Sequence, residues 1–177
     1  MLAPVNKRRA FLAAMGAIAL IGCSEEKLSP RETYALLSMA AYGFQQHDQD
    51  IDGGPVYVMF DPQCSHCRNL WEQTKDIQAT RFLWVPVAVI SGSRRIAAAI
   101  LEAKSPASMF EAIKAGQRIN ASVVSEKALG IIDDNTTLLR QFDTTGVPFM
   151  VAQRPDGSVL MLQGAHSKPE IKELLGL

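Results

Sequence analysis

Two cysteines separated by a serine and a histidine, Cys64-Ser65-His66-Cys67, are the residues of this chain with the clearest chemical potential. The thiolate is the nucleophilic form of cysteine, and two sulfurs at this spacing on a helix can meet in one disulfide. The apolar run at 55–60 is typical of a strand buried on both faces, and helical periodicity follows the cysteines. A CxxC at a strand-to-helix junction predicts a pair that opens and closes, with Cys64 attacking and Cys67 resolving.

A start of the helix near Cys64 would have an electrostatic consequence. Unpaired backbone N–H groups and the positive end of the helix dipole favour a thiolate at Cys64, whereas Cys67 lies one turn further in and is less exposed. A protonated His66 would add positive charge beside the thiolate and stabilise the reduced pair, which makes the disulfide more oxidising. The alternative is that His66 is a solvent-facing spectator.

Two other uses of the cysteines remain open. A structural disulfide is possible, but a loop this short removes little entropy from the unfolded chain. A metal-binding or metal-delivery module would have Cys64, Cys67 and His66 as ligands, whereas structural zinc takes four, and no motif places His47 or His166 beside them. Redox exchange is therefore favoured, and neither a metal nor a cofactor is predicted.

The first 22 residues have the pattern of an export signal. Lys7, Arg8 and Arg9 precede an apolar stretch over 10–22, which is too short to span ~30 Å of hydrocarbon. The sequence Leu-Ile-Gly-Cys at 20–23 resembles a bacterial lipobox, which implies cleavage before Cys23 and acylation of its thiol. The arginine pair also resembles a twin-arginine signal. Acylation of Cys23 would leave Cys64 and Cys67 as the only pair, on the periplasmic side of a bacterial cell envelope and lipid-anchored to a membrane.

Length and charge limit the remaining possibilities. A chain of 177 residues with 47% hydrophobic residues fits one domain with a packed core. Three of the 18 basic side chains lie in the first 22 residues, which hold no acid, so 15 basic and 18 acidic side chains remain. Nucleic acid is therefore not an expected partner.

The rest of the chain reads as strands separated by a helical block. Ser29 and Glu32 form a capping box that opens a helix at 30–46, with the apolar stripe Leu37, Ala40, Ala41 and Phe44. The second strand is predicted at 82–90. It is placed towards a sheet edge, because Pro86 cannot donate to a ladder.

Helical patterns then fill 94–142 without a strand, and they include separate segments at 122–132 and 136–142. A hairpin with an Asp156-Gly157 turn and a last helix after Ser167 end the chain. The expected organisation is a signal at 1–22, a tether and one helix at 23–54, and one domain at 55–177 with a helical insertion at about 94–142.

Several of these features together resemble the DsbC/DsbG family of periplasmic thiol:disulfide interchange proteins, over about 55–177 and with DsbG the closer. They are the Asp61-Pro62-Gln63 approach to the cysteines, the strand at 84–90, the alanine-rich helix at 96–101, the Val147-Pro148 bond and the final hairpin and helix. The resemblance implies an α/β thioredoxin fold, a four-stranded mixed sheet flanked by helices, with an all-helical insertion between the second and third core strands. It also implies an oxidoreductase that acts on cysteines of exported proteins as isomerase, reductant or rescuer of oxidised cysteines, coupled to a membrane electron donor or acceptor.

The resemblance also assigns roles to residues beyond the cysteines. It implies a cis Val147-Pro148 bond facing a Cys64–Cys67 disulfide, with the backbone of Gly146 and Val147 free to pair with a bound peptide. Asp61 is the nearest candidate for the buried proton acceptor of thioredoxin.

Two departures from the family pattern matter. Ser65-His66 replaces the Gly-Tyr or Pro-Tyr pair of the family, and a histidine before the second cysteine is similar to the oxidase DsbA. Only 31 residues separate Cys23 from the first strand, too few for the dimerisation domain of the family, so a monomer is expected.

Overall fold

The computed structural model describes residues 27–47, 51 and 53–177. The predicted signal and Cys23 lie outside these residues. The helices and strands of the described part are, in chain order, α1 (Pro30–Ala40), β1 (Phe44–Gln45), β2 (Val56–Phe60), α2 (Ser65–Thr74), β3 (Phe82–Pro86), α3 (Ser93–Glu102), α4 (Pro106–Lys114), α5 (Glu126–Leu139), β4 (Phe149–Gln153), β5 (Val159–Gln163) and α6 (Lys168–Leu175). None of these helices is both long and apolar enough to cross a membrane.

The strands form one mixed sheet in the order β1-β3-β2-β4-β5. β2 runs parallel to β3, while the β2/β4, β4/β5 and β1/β3 pairs are antiparallel. The predicted order of strand, helix, strand, helical block, hairpin and helix is therefore confirmed. The predicted number of four strands is wrong, because Phe44 and Gln45 add a fifth strand against Trp84 and Leu83.

The second core strand is shorter than predicted, and it is not the edge strand. β3 ends at Pro86 rather than at residue 90, and β1 lies beyond it. Pro86 is tolerated because β1 reaches only as far as Trp84, and Pro86 has a strand partner only on the side of Phe60. On the other side, the carbonyl of Pro86 accepts a hydrogen bond from Asn135 Nδ2 at 3.0 Å.

The first helix begins as predicted but ends early. The Ser29–Glu32 capping box is present, and α1 stops at Ala40 rather than at residue 46. Phe44 is therefore not part of a helical stripe with Leu37. The two side chains are buried in different clusters, on opposite faces of the sheet.

The predicted helical insertion is present between β3 and β4, and it contains α3, α4 and α5. The segments predicted at 122–132 and 136–142 are instead one continuous helix, α5, which begins after the N-cap residue Ser125. The Ser125 hydroxyl accepts the backbone N–H of Ala128 at 3.1 Å. Capping of this kind satisfies one of the free donors at a helix start.

The core lies on both faces of the sheet, because every residue of β2 is buried. Val56, Val58 and Phe60 of β2 join the cluster on one face, and Tyr57 and Met59 join the cluster on the other. The first cluster includes five aromatic side chains from β1, β2, α2, β3 and α4, namely Phe44, Phe60, Trp71, Trp84 and Phe110. This aromatic cluster lies directly beneath the helix that follows the cysteines.

Candidate functional site

Cys64 and Cys67 lie where the central strand β2 hands over to α2. The backbone N–H of Cys64 donates to the carbonyl of Asp61 at 3.0 Å, which turns the chain after the strand. Cys64 is the N-cap of α2, and its own carbonyl accepts the N–H of Arg68 at 3.2 Å. The sulfur of Cys64 is thus carried at the helix start, where free N–H groups and the helix dipole favour negative charge.

The two cysteines differ in their access to solvent. Both are thiols in this structure, and Cys64 is 8% exposed whereas Cys67 is fully buried. Burial, followed by the nearby charge of Cys64, raises the pKa of the Cys67 thiol far above its ordinary value. Cys67 therefore stays protonated in the reduced protein, and the more accessible Cys64 is the sulfur placed to attack first.

The Val147-Pro148 bond is cis, as the family resemblance implied, and it lies opposite the cysteines. The Cys64 thiol donates a weak hydrogen bond to the carbonyl of Val147, with 3.7 Å between sulfur and oxygen. The hydroxyl of Thr144 accepts the N–H of Gly146 at 3.2 Å and donates to its carbonyl at 2.9 Å, which shapes the turn before Val147. Thr144 was not a sequence candidate, because no motif distinguishes it from other loop threonines.

His66 is brought close to the cysteines in the chain but not into the core. It is exposed in the first turn of α2, as is Ser65. Within residues 27–47, 51 and 53–177, no group of three or more His, Cys, Asp or Glu side chains is arranged to hold a metal ion. Cys64, Cys67 and His66 therefore do not converge as a ligand set in this structure.

A cation and an amide near Cys64 were missed in the sequence. Arg68 Nη2 donates to the carbonyl of Gln63 at 3.2 Å, so a guanidinium is fixed beside the turn that carries Cys64. The signal for Arg68 was present, since residues four apart on a helix share a face. Gln63 Nε2 donates to the hydroxyl of Ser93 at 2.8 Å, a partner thirty residues away that no local pattern indicates.

Comparison with protein families gives one match to this part of the chain. A family model for a thioredoxin-like domain matches residues 50–177. The thiol:disulfide interchange protein DsbG of Escherichia coli (strain K12) is 26% identical over 129 residues, which are 68% of this chain and 52% of DsbG. The chain thus spans about half the length of the curated relative that it matches.

Solved structures of low sequence identity share the fold. Proteus mirabilis ScsC in a compact conformation has a TM-score of 0.64 and 16% identity, with 86% of this chain and 81% of that chain covered. A disulfide interchange protein from Neisseria gonorrhoeae has a TM-score of 0.56 and 19% identity, with 72% of this chain and 91% of that chain covered.

Proposed function

The chain belongs to the thioredoxin-like family, and from this premise we propose that it is a thiol-disulfide oxidoreductase of the bacterial cell envelope. It exchanges disulfides with exported proteins, or reduces their oxidised cysteines, through Cys64 and Cys67. The observation that carries this proposal is the pairing of a partly accessible sulfur at a helix start with a second, fully buried sulfur one turn below it. The resemblance to a protein named for thiol:disulfide interchange supports the same chemistry.

The reaction begins when the Cys64 thiolate attacks one sulfur of a disulfide in the partner. A bond forms between Cys64 and that sulfur, and the other partner sulfur leaves with the electron pair of the broken bond. Cys67 then loses its proton and attacks Cys64, which closes the Cys64–Cys67 disulfide and releases the second partner sulfur as a thiolate. The two cysteines of this chain have then lost two electrons, and the partner's disulfide has gained them. Run in reverse, the same steps oxidise a partner dithiol.

The backbone opposite the cysteines supplies the surface for the partner chain. The carbonyl of Val147 lies beside Cys64, and Gly146 and Val147 are both half-buried, so their backbone can pair with an extended segment that carries the reacting cysteine. Pro148 fixes the direction of the chain at the start of β4. These three residues therefore align the partner's sulfur with Cys64.

The proposed location follows from the N-terminal sequence. Acylation of Cys23 would tether the domain to a membrane, on the periplasmic side, where a membrane thiol-disulfide protein could supply or remove electrons. The partners are then cysteine-containing exported proteins and that electron carrier. A single domain without a second active site fits exchange with particular partners better than the reshuffling of misfolded chains.

Trapping of mixed disulfides tests the proposal. Cys67→Ala should accumulate covalent complexes with partner proteins through Cys64, because the resolving sulfur has been removed, and Cys64→Ala is the matched control that should form none. The wild-type protein should also catalyse the reduction of insulin disulfides by a small thiol. Tight, stoichiometric zinc binding by the reduced protein, without insulin reduction or trapped complexes, would replace the proposal by a metal-binding function.

A further inference from the structure

Asp61 is fully buried although it carries a carboxylate, and it lies between the end of β2 and the turn before Cys64. Its Oδ1 accepts the backbone N–H of Gln63 at 2.9 Å and the hydroxyl of Ser93 at 2.5 Å. Its Oδ2 accepts the backbone N–H groups of Val89 and Ile90, both at 2.9 Å. An ionised carboxylate offers about four acceptor positions, so the capacity of Asp61 is filled.

The four donors come from two separate segments of the chain. Gln63 belongs to the turn that carries Cys64, whereas the other three donors belong to the loop between β3 and α3, which includes residues 87–92, and to the first residue of α3. The side chain of Gln63 reinforces this link, because its Nε2 donates to the carbonyl of Ser91 at 3.1 Å and to the hydroxyl of Ser93 at 2.8 Å. With their N–H groups held by Asp61, Val89 and Ile90 keep side chains that are 46% and 40% exposed.

We propose that Asp61 is a positioning residue that locks the loop at 87–92 onto the turn carrying Cys64, and that its carboxylate is a fixed charge rather than the acceptor of the Cys67 proton. The inference rests on the proposed disulfide exchange. A proton on Asp61 would occupy a position now used by a buried donor, and that donor would lose its partner without access to water. Every atom that could take the proton is already engaged. The Asp61 charge also contributes to raising the pKa of Cys67, although less than burial and the charge of Cys64 do.

The two roles predict opposite effects on the resolving step. In that step Cys67 gives its proton to water and attacks Cys64, the bond between Cys64 and the partner breaks, and the partner sulfur leaves as a thiolate. A proton acceptor at Asp61 would speed the step by removing the proton. A fixed negative charge slows it, because it opposes formation of the Cys67 thiolate.

The resolving step can be observed alone with the aromatic disulfide 5,5′-dithiobis(2-nitrobenzoate). The reduced protein releases one coloured thiolate when Cys64 attacks and a second, in a concentration-independent phase, when Cys67 resolves the mixed disulfide. We expect Asp61→Asn to accelerate the second phase by about three- to tenfold, since one unit of pKa changes the thiolate fraction about tenfold. Asp134→Asn, the same substitution at an exposed position of α5, should leave the phase unchanged. A slower or unchanged second phase in Asp61→Asn would overturn the inference.

Hydrogen exchange and a milder variant test the positioning role. Ser93→Ala keeps the charge of Asp61 and removes only one of its donors, so it also serves if Asp61→Asn does not fold. We expect the amides of Val89 and Ile90 to exchange faster in this variant, with a resolving phase no faster than in the wild type. Unchanged exchange would refute the lock. A faster resolving phase would refute the fixed charge, because a carboxylate freed of one donor is a better proton acceptor. A wild-type protein that releases no second thiolate would instead remove the proposed function itself.

Discussion

Phe110 offers a direct test of whether the helical insertion belongs to the core of the domain. Its side chain comes from α4 and is fully buried, with ring centroids 4.9 Å from Phe60, 5.0 Å from Trp71 and 6.0 Å from Trp84. Truncation of a buried phenylalanine to alanine costs about 3–5 kcal/mol. Each aromatic pair contributes a further ~0.5–1.5 kcal/mol beyond buried area, so we expect Phe110→Ala to fall at the upper end of that range, at about 4–5 kcal/mol.

Urea unfolding of the reduced protein, followed by tryptophan fluorescence, measures this loss. The probe is well placed, because both tryptophans of the chain, Trp71 and Trp84, lie against Phe110. Val123→Ala is the control, since Val123 is 87% exposed in the same insertion and should change the free energy of unfolding by less than ~0.5 kcal/mol. A loss below about 1 kcal/mol for Phe110→Ala would show that α4 is not packed on the sheet as described.

The remaining predictions concern the cysteines, the histidine between them and the assembly of the protein. In near-neutral buffer, iodoacetamide should label Cys64 before Cys67, because burial raises the pKa of Cys67 and keeps it protonated; labelling of Cys67 should rise in strongly alkaline buffer or in denaturant. Tandem mass spectrometry locates the label, and earlier labelling of Cys67 would contradict the assignment. His66→Tyr should lower the reduction potential measured against glutathione, where ~30 mV corresponds to about 1.4 kcal/mol, whereas Ser65→Ala should not. An unchanged potential would make His66 a spectator. Cys23→Ser should leave the chain unprocessed or release it from the membrane fraction, and recovery of unmodified Cys23 from the wild type would exclude the lipid anchor. The domain from residue 24 onward should sediment as a monomer and recover little activity from a scrambled multi-disulfide substrate; a stable dimer with strong isomerase activity would refute this.

The site was predictable where the signal is local. The apolar run of β2, the cysteine spacing and the Asp156-Gly157 turn each carry their meaning within a few residues, and the structure confirms the strand, the helix start and the hairpin that they predict. The cis bond before Pro148 was predicted from the family resemblance rather than from such a signal.

The first helix shows why a local pattern can mislead. Phe44 lies seven residues after Leu37, so helical periodicity continues through it even though the chain has already left the helix. The cause is Gly43, where a Cβ atom would collide with the backbone of Trp84. Glycine permits the chain to pass against β3 and to add β1 at the edge. The sequence shows the glycine but not the strand that it passes.

The polar residues of α5 misled the prediction for a similar reason. Asn135 and Thr136 read as a break between two helices, yet both side chains are buried inside one. Asn135 Nδ2 donates to the carbonyls of Tyr42 and Pro86, at 2.8 and 3.0 Å, and the Thr136 hydroxyl accepts the N–H of Ala88 at 3.0 Å. Their partners lie more than forty residues away in the chain, at separations of 93, 49 and 48. No window of local sequence contains such pairs.

The central position of β2 sets the order in which the domain can be assembled. β2 pairs with β3 shortly after it in the chain, but its other neighbour is β4, and Tyr57 must wait for Val151. The carbonyl beside Cys64 belongs to a residue 83 positions later. Pairings between distant segments form slowly, because the intervening chain must be ordered first. A chain emerging from the ribosome or from an export channel therefore presents both thiols before the backbone that faces them exists, and it is at this stage that they are most open to a wrong disulfide.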